Sequence, residues 1–114
     1  MKIYHNPRCS KSRQTLELLR AHGQEPEVIE YLKTPPTLAE LELICTRLGQ
    51  DPQALIRFQE PLARELGLTR SDTRSRAQWL ALLQAHPPLL ERPVVLTETA
   101  AALGRPPENV LALL

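Results

Sequence analysis

The feature that most constrains this chain is a change of hydrophobic period near its N-terminus. Lys2 to His5 alternates polar and apolar residues and stops at Asn6-Pro7, the pattern of a short strand entering a turn. From Ser10 to His22 the repeat becomes helical, with Leu16, Leu18 and Leu19 on or beside one face and Gly23 as a stop. Glu27-Val28-Ile29-Glu30-Tyr31-Leu32 then reads as a second strand, closed by Lys33-Thr34-Pro35-Pro36. Strand, helix and strand in that order predict a parallel βαβ start.

The middle of the chain, about residues 37–86, reads as mostly helical. Thr37 with Glu40 three residues on forms a capping box, and Leu38, Leu41, Cys45 and Leu48 mark one face until Gly49. Asp51 and Pro52 supply the start of another helix, expected to run to about Glu60-Pro61. A short turn of helix over Leu62 to Leu68 follows. Thr69 to Arg76 reads as a charged connector before a helix that carries Trp79, Leu82 and Leu83. Arg92 to Thr97 is then a β-branched run containing Pro93, a strand signal, followed by a short edge strand near Ala100–Leu103 and a last helix from Pro106 or Pro107. The fold class is α/β: a small mixed sheet flanked by helices, with a helical insertion between the βαβ start and the C-terminal strands.

A length of 114 residues allows one domain, residues 1–114, with a core that needs no disulfide or structural metal. Fourteen Lys and Arg against thirteen Asp and Glu give a net charge of +1, which supports neither nucleic acid nor an anionic membrane as a partner. Any anion must be bound by local placement. Two cysteines are too few for a secreted disulfide framework, and the first residues turn polar at once, so a cytoplasmic, reducing setting is expected. Cysteines and the histidines His5, His22 and His86 show no zinc spacing, so no metal is expected.

Cys9 carries the chemistry. It lies between a strand and a helix N-terminus, where free backbone N–H groups and the helix dipole favour a thiolate. His5, four residues earlier, can act as a cationic partner to the sulfur or order the loop; both readings stand at this point. Ser12, in the first helical turn, is placed to support the thiolate with a hydrogen bond. The motif is C-x-x-S, so the resolving thiol must come from outside this motif. Cys45 falls on an apolar stripe and reads as a core thiol, while His22 and His86 read as helix-end residues.

His5-Asn6-Pro7-Arg8-Cys9-Ser10-Lys11-Ser12 resembles the active-site loop of the glutaredoxin-dependent arsenate reductases, a thioredoxin-like family with an H-N-P-x-C segment after the first strand. Three further segments look like that family's: Leu55-Ile56-Arg57 with Glu60-Pro61, Glu91-Arg92-Pro93-Val94-Val95, and Gly104-Arg105-Pro106-Pro107. The resemblance implies that Arg57, Arg92 and Arg105 bind the oxyanion and that Pro93 is the cis-proline facing the cysteine. Planar guanidinium forks suit arsenate oxygens on physical grounds as well. A phosphatase-type loop, C-x5-R, is excluded, because Thr15 stands at its arginine position.

The resemblance also implies a reaction. Cys9 attacks arsenate, glutathione serves as co-substrate, and glutaredoxin resolves the mixed disulfide, with no bound cofactor, metal or flavin. A monomer is expected. Two other readings remain: a thiol-stress regulator that binds RNA polymerase, a branch of this fold that typically carries C-x-x-C, and a glutathione-dependent thiol transferase with another substrate.

Overall fold

In the structure, a computed structural model describing Met1–Leu114, the alternating segment forms β1 (Lys2–His5) and the periodic one α1 (Ser10–Ala21). β2 (Glu27–Glu30), β3 (Val94–Leu96) and β4 (Ala101–Leu103) complete a four-stranded sheet in the order β2-β1-β3-β4. β1 pairs parallel with β2, and the β1/β3 and β3/β4 pairs are antiparallel. The expected βαβ start is present, as is the thioredoxin-type mixed sheet. Strand β2 stops two residues short of the expected Leu32, because Lys33 and Thr34 both donate to the Glu30 carbonyl and turn the chain.

The chain divides into two compact units, Met1–Thr34 with Arg92–Leu114, and Pro35–Glu91. In the first, Ile3 and Val95 project from the sheet onto Leu16 and Leu19 of α1 and onto Val110. Each such side chain, removed from water, contributes about 1.5–3 kcal/mol. Val110 belongs to the last segment, Pro107–Leu113, which winds as a 3-10 helix starting at the second proline of its pair.

In the second unit the capping box of Thr37 and Glu40 is formed at the start of α2 (Leu38–Leu48), and Gly49 ends it in the left-handed region at φ +70°. α3 spans Pro61–Glu65 and α4 spans Arg76–Ala85. Ser75 and Gln78 form a second capping box, so α4 begins with as defined a signal as α2 does. α2 packs on α4, and Trp79, Leu41, Ile44 and Leu83 are fully buried.

The helix expected from Asp51 to Glu60 is a correction. Only Pro52–Leu55 is helical, as a 3-10 turn. Ile56 is instead extended and bridges Leu90: Arg57 N–H donates to the Leu89 carbonyl at 2.7 Å, and Glu91 N–H donates to the Leu55 carbonyl at 2.6 Å. A β-branched residue with an antiparallel partner outweighs the local helix signal there. No helix is long and apolar enough to cross a membrane.

Candidate active site

β1 delivers its last residues to a tight turn in which Cys9 N–H donates to the Asn6 carbonyl at 3.0 Å. Asn6 Oδ1 accepts the Arg8 N–H at 3.0 Å, the self-bonding turn that asparagine favours. Cys9 thereby becomes the N-cap of α1, with extended backbone and no side-chain capping bond, so its sulfur stands half-buried at the helix's positive end.

Burial works against ionising this thiol, but other groups outweigh it. The backbone N–H groups of Ser12 and Lys11, the Arg92 side chain and the Arg105 charge hold the Cys9 pKa below its ordinary value. The support from Ser12 to the sulfur thus runs through its main chain. Its buried hydroxyl is engaged elsewhere, lying 2.6 Å from His5 Nδ1 and accepting the Asn6 N–H at 3.0 Å.

His5 is buried, and desolvation lowers its pKa; the Glu30 charge opposes this, while Arg20 and Arg13 reinforce it. A neutral imidazole tied to Ser12 fits the loop-ordering reading of His5 rather than the cationic one. His22 caps α1 with Nδ1 3.0 Å from the Leu18 carbonyl, and His86 caps α4. Cys45 is buried on α2, and burial raises its pKa.

The sheet register explains how distant residues meet at Cys9. At this end of the sheet β1 stops at His5 level with Glu30, β3 begins at Val94 level with Tyr4, and β4 stops at Leu103 level with Val94. Asn6, Tyr31, Arg92 and Arg105 lie within two residues of those paired ends, where the chain turns toward Cys9.

Both arginines precede cis prolines: Arg92-Pro93, as the resemblance implies, and Arg105-Pro106, which it did not indicate. Arg105 Nε donates to the Arg92 carbonyl at 2.7 Å, and its Nη2 lies 3.5 Å from Cys9 Sγ. Gly104 makes this approach feasible. A Cβ there would collide with Thr15 Oγ1 and come within 2.7 Å of Pro93 Cγ.

Arg57 lies in the Pro35–Glu91 unit. Its Nε and Nη1 are buried without a hydrogen-bond partner, and Glu60 Oε2 is 3.7 Å from Nε. No group of three or more His, Cys, Asp or Glu side chains is placed to hold a metal ion.

Tyr31 and Asn6 are the residues there that the sequence does not single out. Tyr31 is fully buried, with its hydroxyl unpaired. A signal for it lies in the two parallel strands, since β2 stops one residue before Tyr31 just as β1 stops one residue before Asn6.

The sequence model described as the ArsC family matches residues 4–113. The arsenate reductase of Neisseria meningitidis serogroup A is 47% identical over 115 aligned positions, covering 100% of this chain and 97% of the relative. The arsenate reductase of Escherichia coli K12 is 42% identical, covering 98% of this chain and 79% of the relative. Among solved structures, the arsenate reductase from Vibrio cholerae superposes with a TM-score of 0.93 at 46% identity, covering 99% of this chain and 96% of that one.

Proposed function

The chain belongs to the ArsC family, and on that premise we propose that it reduces arsenate to arsenite through Cys9, with glutathione and glutaredoxin supplying the electrons. The observation that carries the reading is Arg105 Nη2 at 3.5 Å from Cys9 Sγ, with Arg92 beside it, its carbonyl accepting from Arg105 Nε. A thiolate with two guanidinium groups next to it, at a helix N-terminus, suits attack on an oxyanion whose charge must be held during reaction.

In the proposed sequence, Cys9 Sγ gives its electron pair to the arsenic of bound arsenate, and one arsenic–oxygen bond breaks. That oxygen leaves as water after taking up protons, and arsenic remains pentavalent. A glutathione thiolate then attacks Cys9 Sγ. The sulfur–sulfur bond forms as the sulfur–arsenic bond breaks, the electron pair stays on arsenic, and trivalent arsenite leaves. A glutaredoxin thiolate takes the glutathionyl group and returns Cys9 as thiolate.

Arg92 and Arg105 are proposed as oxyanion ligands, a reading supported by the contact of Arg105 with Cys9 Sγ and by its bond to the Arg92 carbonyl. Arg57 is proposed as a third ligand on the family resemblance and on its Nη1, which is buried without a hydrogen-bond partner. His5 and Ser12 hold the loop that carries the nucleophile. The proposal takes residues 1–114 as one catalytic domain acting as a cytoplasmic monomer without a bound cofactor.

The test is an assay of NADPH oxidation coupled through glutathione reductase, glutathione and glutaredoxin. Turnover should require arsenate and vanish in Cys9→Ser. Unchanged turnover in Cys9→Ser would sink the assignment.

A further inference from the structure

Tyr31 is a buried titratable residue that the reaction above does not use. Its side chain is fully buried one residue beyond β2, and its hydroxyl has no hydrogen-bond partner. Leaving such a group unpaired is costly, so its surroundings bear on its use. The hydroxyl faces Arg92 and Asn6, with Cys9 near enough for its charge to be felt.

The chemistry of those neighbours is one-sided. A guanidinium offers only N–H donors, so toward Arg92 the phenol oxygen can only accept. Asn6 lowers the Tyr31 pKa, the sign of its amide N–H facing the phenol oxygen, while its Oδ1 takes the Arg8 N–H. The phenolic proton is thus left without an acceptor, although both neighbours can donate to its oxygen. Burial raises the Tyr31 pKa, against the lowering effect of Arg92, and so keeps that proton in place. Arg92 Nε is a second buried donor without a partner.

We propose that Tyr31 is an oxyanion-contacting residue, its hydroxyl donating to an oxygen of the bound substrate while its own oxygen accepts from Arg92. The inference rests on the arsenate reading above and adds a neutral donor to its charged ones. A neutral donor contributes directionality: its single proton fixes one oxygen without adding charge that would also tighten the thiolate.

The experiment follows arsenate protection of Cys9 from iodoacetamide in the wild-type protein and in Tyr31→Phe. The arsenate concentration giving half-protection should rise about tenfold in the variant, the loss of one hydrogen bond to a charged group, with the alkylation rate in the absence of arsenate unchanged. A purely structural role would alter the unprotected rate and leave half-protection where it was.

Should Tyr31→Phe fold poorly, the chain's two tyrosines, Tyr4 and Tyr31, allow a second measurement. In Cys9→Ser labelled with 13Cζ-tyrosine, arsenate should shift the Tyr31 resonance over the concentration range that protects wild-type Cys9. Equal protection of both proteins, or an unmoved Tyr31 resonance, overturns the role of Tyr31 and leaves the arsenate reading standing. Absence of protection in the wild-type protein overturns both.

Discussion

Arg105 Nη2 lies 3.5 Å from Cys9 Sγ across 96 positions of sequence. The contact exists because Arg105 is anchored at its other edge, where Nε donates to the Arg92 carbonyl at 2.7 Å. One guanidinium thus ties the loop after β4 to the loop before β3 and presents its remaining edge to the nucleophile.

Removing that edge has a defined sign. Arg105 lowers the Cys9 pKa, so Arg105→Ala should move the ionisation midpoint upward, read from thiolate absorbance against pH. The catalytic efficiency, kcat/KM, for arsenate should fall roughly tenfold to a hundredfold, as expected for losing a hydrogen-bonded charge. An unmoved midpoint would separate Arg105 from the thiolate.

Ser12→Ala distinguishes the side chain from the main chain. The hydroxyl serves His5 Nδ1 and the Asn6 N–H, both buried, whereas the thiolate is supported by the Ser12 backbone N–H. The variant should lose about 1–3 kcal/mol of stability by urea unfolding, while the Cys9 midpoint shifts less than in Arg105→Ala. The opposite ranking would make the hydroxyl the thiolate's main support.

His5 makes stability depend on pH in a stated direction. Its pKa in the folded protein lies below the unfolded value of about 6.5, so on acidification the unfolded chain takes up a proton first. Its contribution is complete above about 6.5 and is lost as pH falls from there through the folded value. Thermal unfolding of wild type should therefore lose more Tm between pH 7 and pH 5 than His5→Gln loses, and equal losses would contradict a buried neutral imidazole.

Gly104 is needed for its missing side chain. Gly104→Ala would drive a methyl into Thr15 Oγ1 and Pro93 Cγ, both close to the Arg105 loop. Overpacking of this kind costs about 1–3 kcal/mol, and the displaced arginine should lower kcat/KM for arsenate while Cys9 still reacts with iodoacetamide. Full activity in the variant would show that the loop can shift without cost.

These residues also mark where the sequence was legible. The change of period and the H-N-P-x-C segment located β1, α1 and the nucleophile, because each depends on neighbours in the chain. The capping box at Thr37 is equally readable, and the one at Ser75 and Gln78 carries the same spacing, although Ser75 falls within the segment that reads as a connector. Ile56 did not yield to local signals: its extended conformation is set by Leu90, a partner 34 positions away that a helix pattern cannot reveal. Arg92 and Arg105 are legible through family resemblance, whereas the bond that joins them, from Arg105 Nε to the Arg92 carbonyl, depends on the antiparallel pairing of β3 with β4. Tyr31 reads from sequence only as a strand residue, because its significance lies in Arg92 and Asn6 at its hydroxyl.

The central claim, that Cys9 attacks arsenate and then passes its sulfur to glutathione, is tested most directly by intact-mass analysis of a single turnover without glutaredoxin. Mixing the protein with arsenate and glutathione should yield one glutathionyl group on Cys9 and one equivalent of arsenite, neither forming in Cys9→Ser. Arsenite released by Cys9→Ser, or glutathione added to Cys9 equally well without arsenate, would contradict it.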